Sequence, residues 1–411
     1  MAERPGEHGA PEVSVVIPTY NRARELDRTL RSLAQQDLPR DRYEVIVADD
    51  GSSDDTRLVV EGHAGNLRIG YVYQEDLGFR AGQARNLGAA RAEGRILVFL
   101  DSGMLASRHL LSGHLAAHEG GGRAVIGYIF GYDHDPANRV SHDDLGEPPD
   151  ELIDRFTLSG RHRDMREPCY RSLGDDIDRY AAPWIFYWTG NVSVGAADFH
   201  LAGGFDDDFV GWSGEDVELG RRLYEKGLKF TLARGAACVE IPHTRDLAAL
   251  RPSYEKHAAL LLRKHMDPVV EVSTVCWAHE LHPRLAELRA ASRNRIRLAR
   301  LRPSGRRVDP GPATALFGAD CLYAVNGGDL CVEPVPGLAQ EARRNSPGIE
   351  VLPLHGFRTL LEPGTFDLCL LAPSLRAYPR WAVDLLESEA ARIGRRVRWL
   401  PAAETVPSEE R

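Results

Sequence analysis

No stretch of the 411-residue chain approaches the run of about 18 consecutive apolar residues that a membrane span needs, so no transmembrane helix is expected. Positive charge is not in excess. The 51 Lys and Arg stand against 60 Asp and Glu, a net charge of −9, which argues against a dedicated nucleic-acid binder. The six cysteines (169, 238, 276, 321, 331 and 369) include no Cys-x-x-Cys pair. Reduced thiols in a cytoplasmic protein are the expectation. The opening Met-Ala-Glu-Arg-Pro-Gly-Glu-His lacks the apolar centre of a secretory signal. No Gly-rich, Lys- or Arg-bearing phosphate loop lies near the first apolar run, which weighs against nucleotidyl transfer.

What is present is a layered α/β pattern. Val13–Ile17 is a short apolar run stopped by Pro18-Thr-Tyr-Asn21, and Tyr43–Ala48 is another, stopped by Asp49-Asp-Gly-Ser-Ser53. Residues 68–73 form a third predicted strand, and Ile96–Leu100 a fourth, ended by Asp101-Ser-Gly103. Helical spacing separates them, with Leu26, Leu30, Leu33 and Ala34 in the first helix and Gly82–Arg91 as the third. Strand and helix alternating at this distance predict a parallel, right-handed layer. Polar residues at the carboxyl ends of such strands stand where open α/β sheets bind ligands. Asp49, Asp50 and Asp101 suit ribose hydroxyls, a base N–H or a metal better than a bare phosphate. A turn with a helix cap is the other reading of Asp49–Ser53.

Four segments in order, Val15–Arg22, Val45–Asp54, Ala84-Arg-Asn-Leu-Gly88 and Phe99-Leu-Asp101, resemble a family 2 glycosyltransferase. The resemblance implies a GT-A fold, a Rossmann-like, mostly parallel sheet flanked by helices, and a nucleotide-diphosphate sugar as donor, with UDP expected. It implies donor contacts from Pro18, Thr19, Tyr20, Asp49, Asp50, Arg85, Asn86 and Asp101. Asp101 would open the family's Asp-x-Asp motif. The second aspartate, the usual metal ligand, is Gly103 here, and glycine has no side chain to ligate.

Gly203-Gly-Phe-Asp206 and Gly211-Trp-Ser-Gly-Glu-Asp216, followed by the helical spacing of Val217–Leu223, are similar to the carboxyl-terminal catalytic segment of β-1,4-galactosyltransferases and chondroitin-polymerase-type enzymes. That likeness implies Asp216 as general base and Glu215 as its acceptor-holding neighbour, with Trp212, Asn191 and Asp207 around the acceptor. Taken alone, Glu215-Asp216 is also a common acidic helix start. A single in-line displacement needs one base for the attacking hydroxyl, so Asp216 favours inversion. Glu240-Ile-Pro-His243 has the spacing of that segment's metal ligands, which predicts a Mn2+ or Mg2+ site of Asp101, Glu240 and His243. Arg245 is the alternative partner for the diphosphate.

Residues 131–182 are acidic and aperiodic, and read as a lid or a solvated surface. Within them, Asp133-His-Asp135 and His162-Arg-Asp164 are too short to count as motifs. Eight arginines between 289 and 307 read as a solvated linker helix or a patch for anionic lipid. The expected organisation is a lead-in over 1–11, a catalytic domain over 12–265, a helical linker over 266–308 and a small α/β domain over 309–411. The last has no Gly-x-Gly-x-x-Gly or P-loop, and acceptor binding or dimerisation is its expected role. The sequence as a whole predicts a hexosyl- or N-acetylhexosaminyltransferase acting on a carbohydrate or other hydroxyl, with at most peripheral membrane contact. A nucleotide-sugar-binding protein without transfer is the alternative, raised by Gly103.

Overall fold

The computed structural model describes residues 10–243, 246–299, 313–321 and 328–401. By contact, the chain divides between His257 and Ala258 into two compact units.

In the larger unit β1 (Val13–Thr19), β2 (Tyr43–Asp49), β3 (Ile69–Tyr73) and β4 (Ile96–Leu100) run parallel. Every residue of β1, β2 and β4 is buried, as in sheets covered on both faces. The crossovers are α1 (Ala23–Leu33), α2 (Thr56–Gly62) and α3 (Ala81–Ala89). Leu26, Leu30 and Leu33 form the inward stripe of α1. A Cβ on Gly88 of α3 would lie 2.6 Å from Val16 Cγ1, so only glycine lets this helix rest so close to β1.

The unit continues through β5 (Met104–Ala106), α4 (Leu110–Ala117), β6 (Arg123–Phe130), α5 (Pro149–Ser159), α6 (Glu167–Ser172), β7 (Asn191–Gly195), α7 (Ala196–Ala202), α8 (Glu215–Glu225) and β8 (Lys229–Glu240). The described strands lie in the order β3-β2-β1-β4-β7-β6-β8-β5. β7 is antiparallel to β4 and β6, and β5 to β8. The chain steps outward from β1 to β2 to β3, then returns to place β4 on the other flank of β1. The order therefore reverses between β1 and β4, and a crevice opens there beyond the strand ends.

Residues 131–182 depart from the expected irregular span. They contain α5, α6 and short 3-10 turns, and bury Leu152, Phe156, Tyr170 and Ile177. Asp164 forms a wholly buried pair with Arg166, whose Nη2 stands 2.6 Å from Asp164 Oδ2. α6 is too short for a period to show, and α5 marks its buried face with Leu152 and Phe156 alone.

α9 (Leu247–Lys264) crosses the division, and α10 (Pro268–Ser273) and α11 (Ala278–Ala299) follow in the smaller unit. Its parallel sheet has the order β11-β10-β9-β12-β13, from β9 (Thr314–Phe317), β10 (Leu330–Val332), β11 (Glu350–Leu352), β12 (Leu368–Leu371) and β13 (Val397–Trp399). α12 (Pro336–Asn345) and α13 (Arg380–Ile393) accompany it. Arg295, placed by the sequence in a solvated linker, is instead wholly buried against Glu333 at 2.8 Å. The adjoining Arg300 to Arg307 lie outside the described residues. All six thiols are free, and no described helix is long and apolar enough to cross a membrane.

Candidate active site

The ends of β1, β2 and β4 supply one edge of the crevice. Asp49 pairs in register with Thr19 and is almost fully buried. Its Oδ1 accepts from the N–H groups of Gly51 and Ser52, and its Oδ2 from the Tyr71 hydroxyl at 2.6 Å. Asp49 thus closes its own turn, and its carboxylate is largely committed. Asp50 accepts from Gln74 Nε2 at 2.6 Å and from the Arg80 N–H at 2.7 Å. Tyr20 is exposed and donates to Asp76. Pro18 lies buried within β1, and the Thr19 hydroxyl is buried without a hydrogen-bond partner among the described residues.

Beside the end of β4, Arg85 of α3 is 4% exposed. Its Nη2 donates to Asp101 Oδ1 at 2.7 Å and its Nη1 to Glu215 Oε1 at 3.1 Å. Burial alone would make this guanidinium easier to deprotonate, but the Asp101 and Glu215 carboxylates more than offset that and keep it charged. One cation therefore ties the loop after β4 to the start of α8. Glu215 Oε2 is buried with no partner among the described residues, a polar atom that a bound hydroxyl would satisfy. Asp216 accepts from the N–H of Val217 at 2.7 Å and, weakly, from that of Thr189 at 3.4 Å. Burial, reinforced by the Glu215 charge beside it, pushes Asp216 up to about 7.

The loop before α8 turns sharply, with positive φ at Gly211, Ser213 and Gly214. His257, 1% exposed, holds it by bonding with the Trp212, Ser213 and Val210 carbonyls, and Ser253 donates to the Trp212 carbonyl at 3.0 Å. Trp212 is half-buried within that turn.

Residues 14–177 match the model for glycosyl transferase family 2, and residues 177–244 match one described as the N-terminal domain of galactosyltransferase. This domain belongs to glycosyl transferase family 2. The chain is 45% identical to the validoxylamine A glucosyltransferase of Streptomyces hygroscopicus subsp. jinggangensis over 265 residues, 64% of this chain and 63% of the relative. It is 34% identical to the chondroitin synthase of Escherichia coli over 234 residues, 54% of this chain and 34% of the relative. The chain thus spans less than two thirds of these relatives. A mannosyltransferase from Pyrobaculum calidifontis, solved with GDP-Man and Mn2+, superposes with a TM-score of 0.43 at 21% identity, over 63% of this chain and 65% of that one.

Three of the expected site residues in the glycosyltransferase domain do structural work. Asn191 is wholly buried in the sheet. Its amide donates to the Ala236 carbonyl at 2.9 Å, and its Oδ1 lies 2.8 Å from His114 Nε2, so no acceptor reaches it. Asn86 accepts from the Phe205 N–H and donates to the Phe205 carbonyl, both at 2.8 Å, which fixes the loop ahead of α8. Asp207, exposed, takes a longer bond from the same amide. Conversely Gln74, Tyr71 and Arg80 support the acidic turn, but no spacing in the sequence marked them.

The metal expected by this family fits poorly. Glu240 and His243 do lie together, with Nδ1 3.6 Å from Oε1, but Asp101 is engaged by Arg85. Among the described residues no group of three His, Cys, Asp or Glu gathers to hold an ion, so the set Asp101, Glu240 and His243 is not assembled. Gly103 has φ +100°, and a Cβ there would lie 2.9 Å from Arg22 Nη2. Any side chain at the place of the second acidic ligand would strain the backbone, and the Arg22 guanidinium lies beside it. Arg245 lies outside the described residues.

Proposed function

We propose that the chain is an inverting glycosyltransferase that moves a hexosyl or N-acetylhexosaminyl group from a nucleotide-diphosphate donor, with UDP expected, to an acceptor hydroxyl. The observation that carries this reading is the Arg85 bridge, which brings the donor-side Asp101 and the acceptor-side Glu215 and Asp216 to one crevice. Thr19 and Asp50 are assigned to the base and ribose. The name of the 45% identical relative makes a glucosyl donor and validoxylamine A the first pair to test. Free thiols in every described cysteine position favour the cytoplasm as its place of action.

The chemistry follows from the acidic pair. The acceptor oxygen attacks the anomeric carbon as the bond from that carbon to the phosphate oxygen breaks, and the electron pair leaves with the nucleoside diphosphate. The hydroxyl proton passes to the Asp216 carboxylate. Burial and the Glu215 charge make this carboxylate a stronger base than an ordinary one, suited to take that proton as the bond forms. Glu215 Oε2, without a partner among the described residues, accepts a second acceptor hydroxyl and orients the first.

The test is nucleotide release from a panel of UDP-sugars, comparing wild type with Asp216→Asn, with the product anomer assigned by NMR. Turnover by the Asn variant at the wild-type rate would remove Asp216 as base, and a retained anomer would remove inversion. Calorimetric UDP binding without turnover of any donor and acceptor would favour the alternative of a nucleotide-sugar-binding protein.

A further inference from the structure

The loops after β1 and β4 face each other across the point where the strand order reverses, and a donor diphosphate placed there brings charge that must be met. Arg85 has spent its charge on two carboxylates. Arg80 lies 3.7 Å from Asp50 and also bonds with the Glu75 carbonyl and Gln83. Arg22 follows β1 directly. It is half-buried, and its guanidinium makes no hydrogen bond or ion pair with any described residue.

The position of Arg22 is specific. Its Nη2 is the nearest atom to a Cβ built on Gly103, at 2.9 Å, and its Cζ follows at 3.5 Å. Gly103 is pinned in turn, since its N–H donates to Thr29 Oγ1 at 2.9 Å and its carbonyl accepts from Ile241 at 2.9 Å. A carboxylate at 103 would meet this cation and strain a backbone at φ +100°. The glycine leaves this place to the Arg22 side chain, so a guanidinium stands where the family places a metal-binding acid.

We infer that Arg22 meets the charge of the donor diphosphate in this crevice, in place of a divalent cation held through residue 103. The inference rests on the donor reading proposed above. A guanidinium offers two parallel N–H donors to phosphate oxygens and carries its charge at any working pH. It also needs no ligand set, which agrees with the commitment of Asp101 to Arg85. The charge compensation that helps the nucleoside diphosphate leave then comes from the chain itself.

UDP binding by calorimetry on the full chain separates the possibilities, run in excess chelator and again with manganese. Wild type is expected to bind UDP with affinities within about threefold in the two buffers, while Arg22→Ala binds about tenfold or more weakly in both, and Arg22→Lys falls between. Because the Arg22 guanidinium has no bonded partner among the described residues, the variants should melt with wild type, and Arg22→Gln serves as a second neutral variant. Arg22→Ala affinity within about threefold of wild type would overturn the inference, as would tightening of wild type by manganese of more than about tenfold. Failure of wild type to bind UDP in either buffer, or binding untouched by Asp50→Ala, would instead sink the donor reading itself.

Discussion

Arg85 and Asp101, sixteen residues apart in the chain, meet at 2.7 Å. The contact joins the crossover helix α3 to the end of β4, and Arg85 is also bonded to Glu215. Removing the cation leaves the Glu215 carboxylate buried without a counter-charge. Loss of one partner from such a buried pair costs about 3–5 kcal/mol. Arg85→Ala should therefore lower the melting temperature and abolish turnover. Arg85→Lys keeps the charge but cannot span both carboxylates, so it should regain stability ahead of activity. Differential scanning calorimetry beside nucleotide release checks the pair, and equal recovery of both would contradict the bridging role.

Asp216 predicts a pH profile with a definite sign. Its folded value, about 7, lies above the ordinary 3.8, so the native state holds the proton between those limits. Activity from the ionised form should rise with pH and level off above about 7. Stability runs the other way. The raised value contributes stability that is fully present at low pH and is lost as pH rises toward 7. Asp216→Asn should therefore remove the activity limb and raise the melting temperature at pH 8 relative to wild type, with a smaller gain at pH 5. A rate limb that survives in the Asn variant would assign the titration to another group.

The sheet was legible because β1, β2 and β4 are buried on both faces and so read as unbroken apolar runs. The sequence placed Asp101 at the end of a buried strand and Glu215 and Asp216 at a helix start, and the structure has them at those places. The links among them were not legible, since Arg85 reaches Glu215 across 130 positions and no local period records such a contact. Asn191 misled for a related reason. Its place after Thr-Gly resembles a loop position, while the structure makes it the first residue of β7, bonded through His114. Between 131 and 182, α6 is too short to show a period and α5 buries only Leu152 and Phe156, while Arg295 looked solvated because its partner Glu333 lies 38 positions on.

Asn86 offers a test of positioning. Its two bonds to the Phe205 backbone hold the segment that leads into the Trp212 turn. Asn86→Ala leaves a buried N–H and carbonyl to find water, at about 1–3 kcal/mol. The expected outcome is a raised KM for the acceptor with UDP affinity unchanged, measured by initial rates and calorimetry. A matching loss of UDP affinity would place Asn86 on the donor side after all.

The smaller unit carries its own wager in Glu271. This carboxylate is wholly buried, and it accepts from the backbone N–H groups of His355, Gly356, Phe357 and Arg358 at 2.6, 3.0, 2.7 and 3.1 Å. Burial pushes it up to about 7 even though those four donors act to lower it. The side chain thereby ties α10 to the turn after β11 through that turn's backbone N–H groups. Glu271→Ala would orphan several buried donors at once, each at about 1–3 kcal/mol. Glu271→Gln keeps the shape and one acceptor oxygen but aims an N–H2 at donors, so it should recover little. Because the native state favours the proton between the ordinary 4.5 and about 7, wild type should lose part of this unit's stability as pH rises across that window. Urea unfolding at pH 5 and pH 8 measures the effect, with the fluorescence of Trp381 and Trp399 as the local signal. A Glu271→Ala variant that unfolds with wild type at both pH values would show that the turn holds without its anchor.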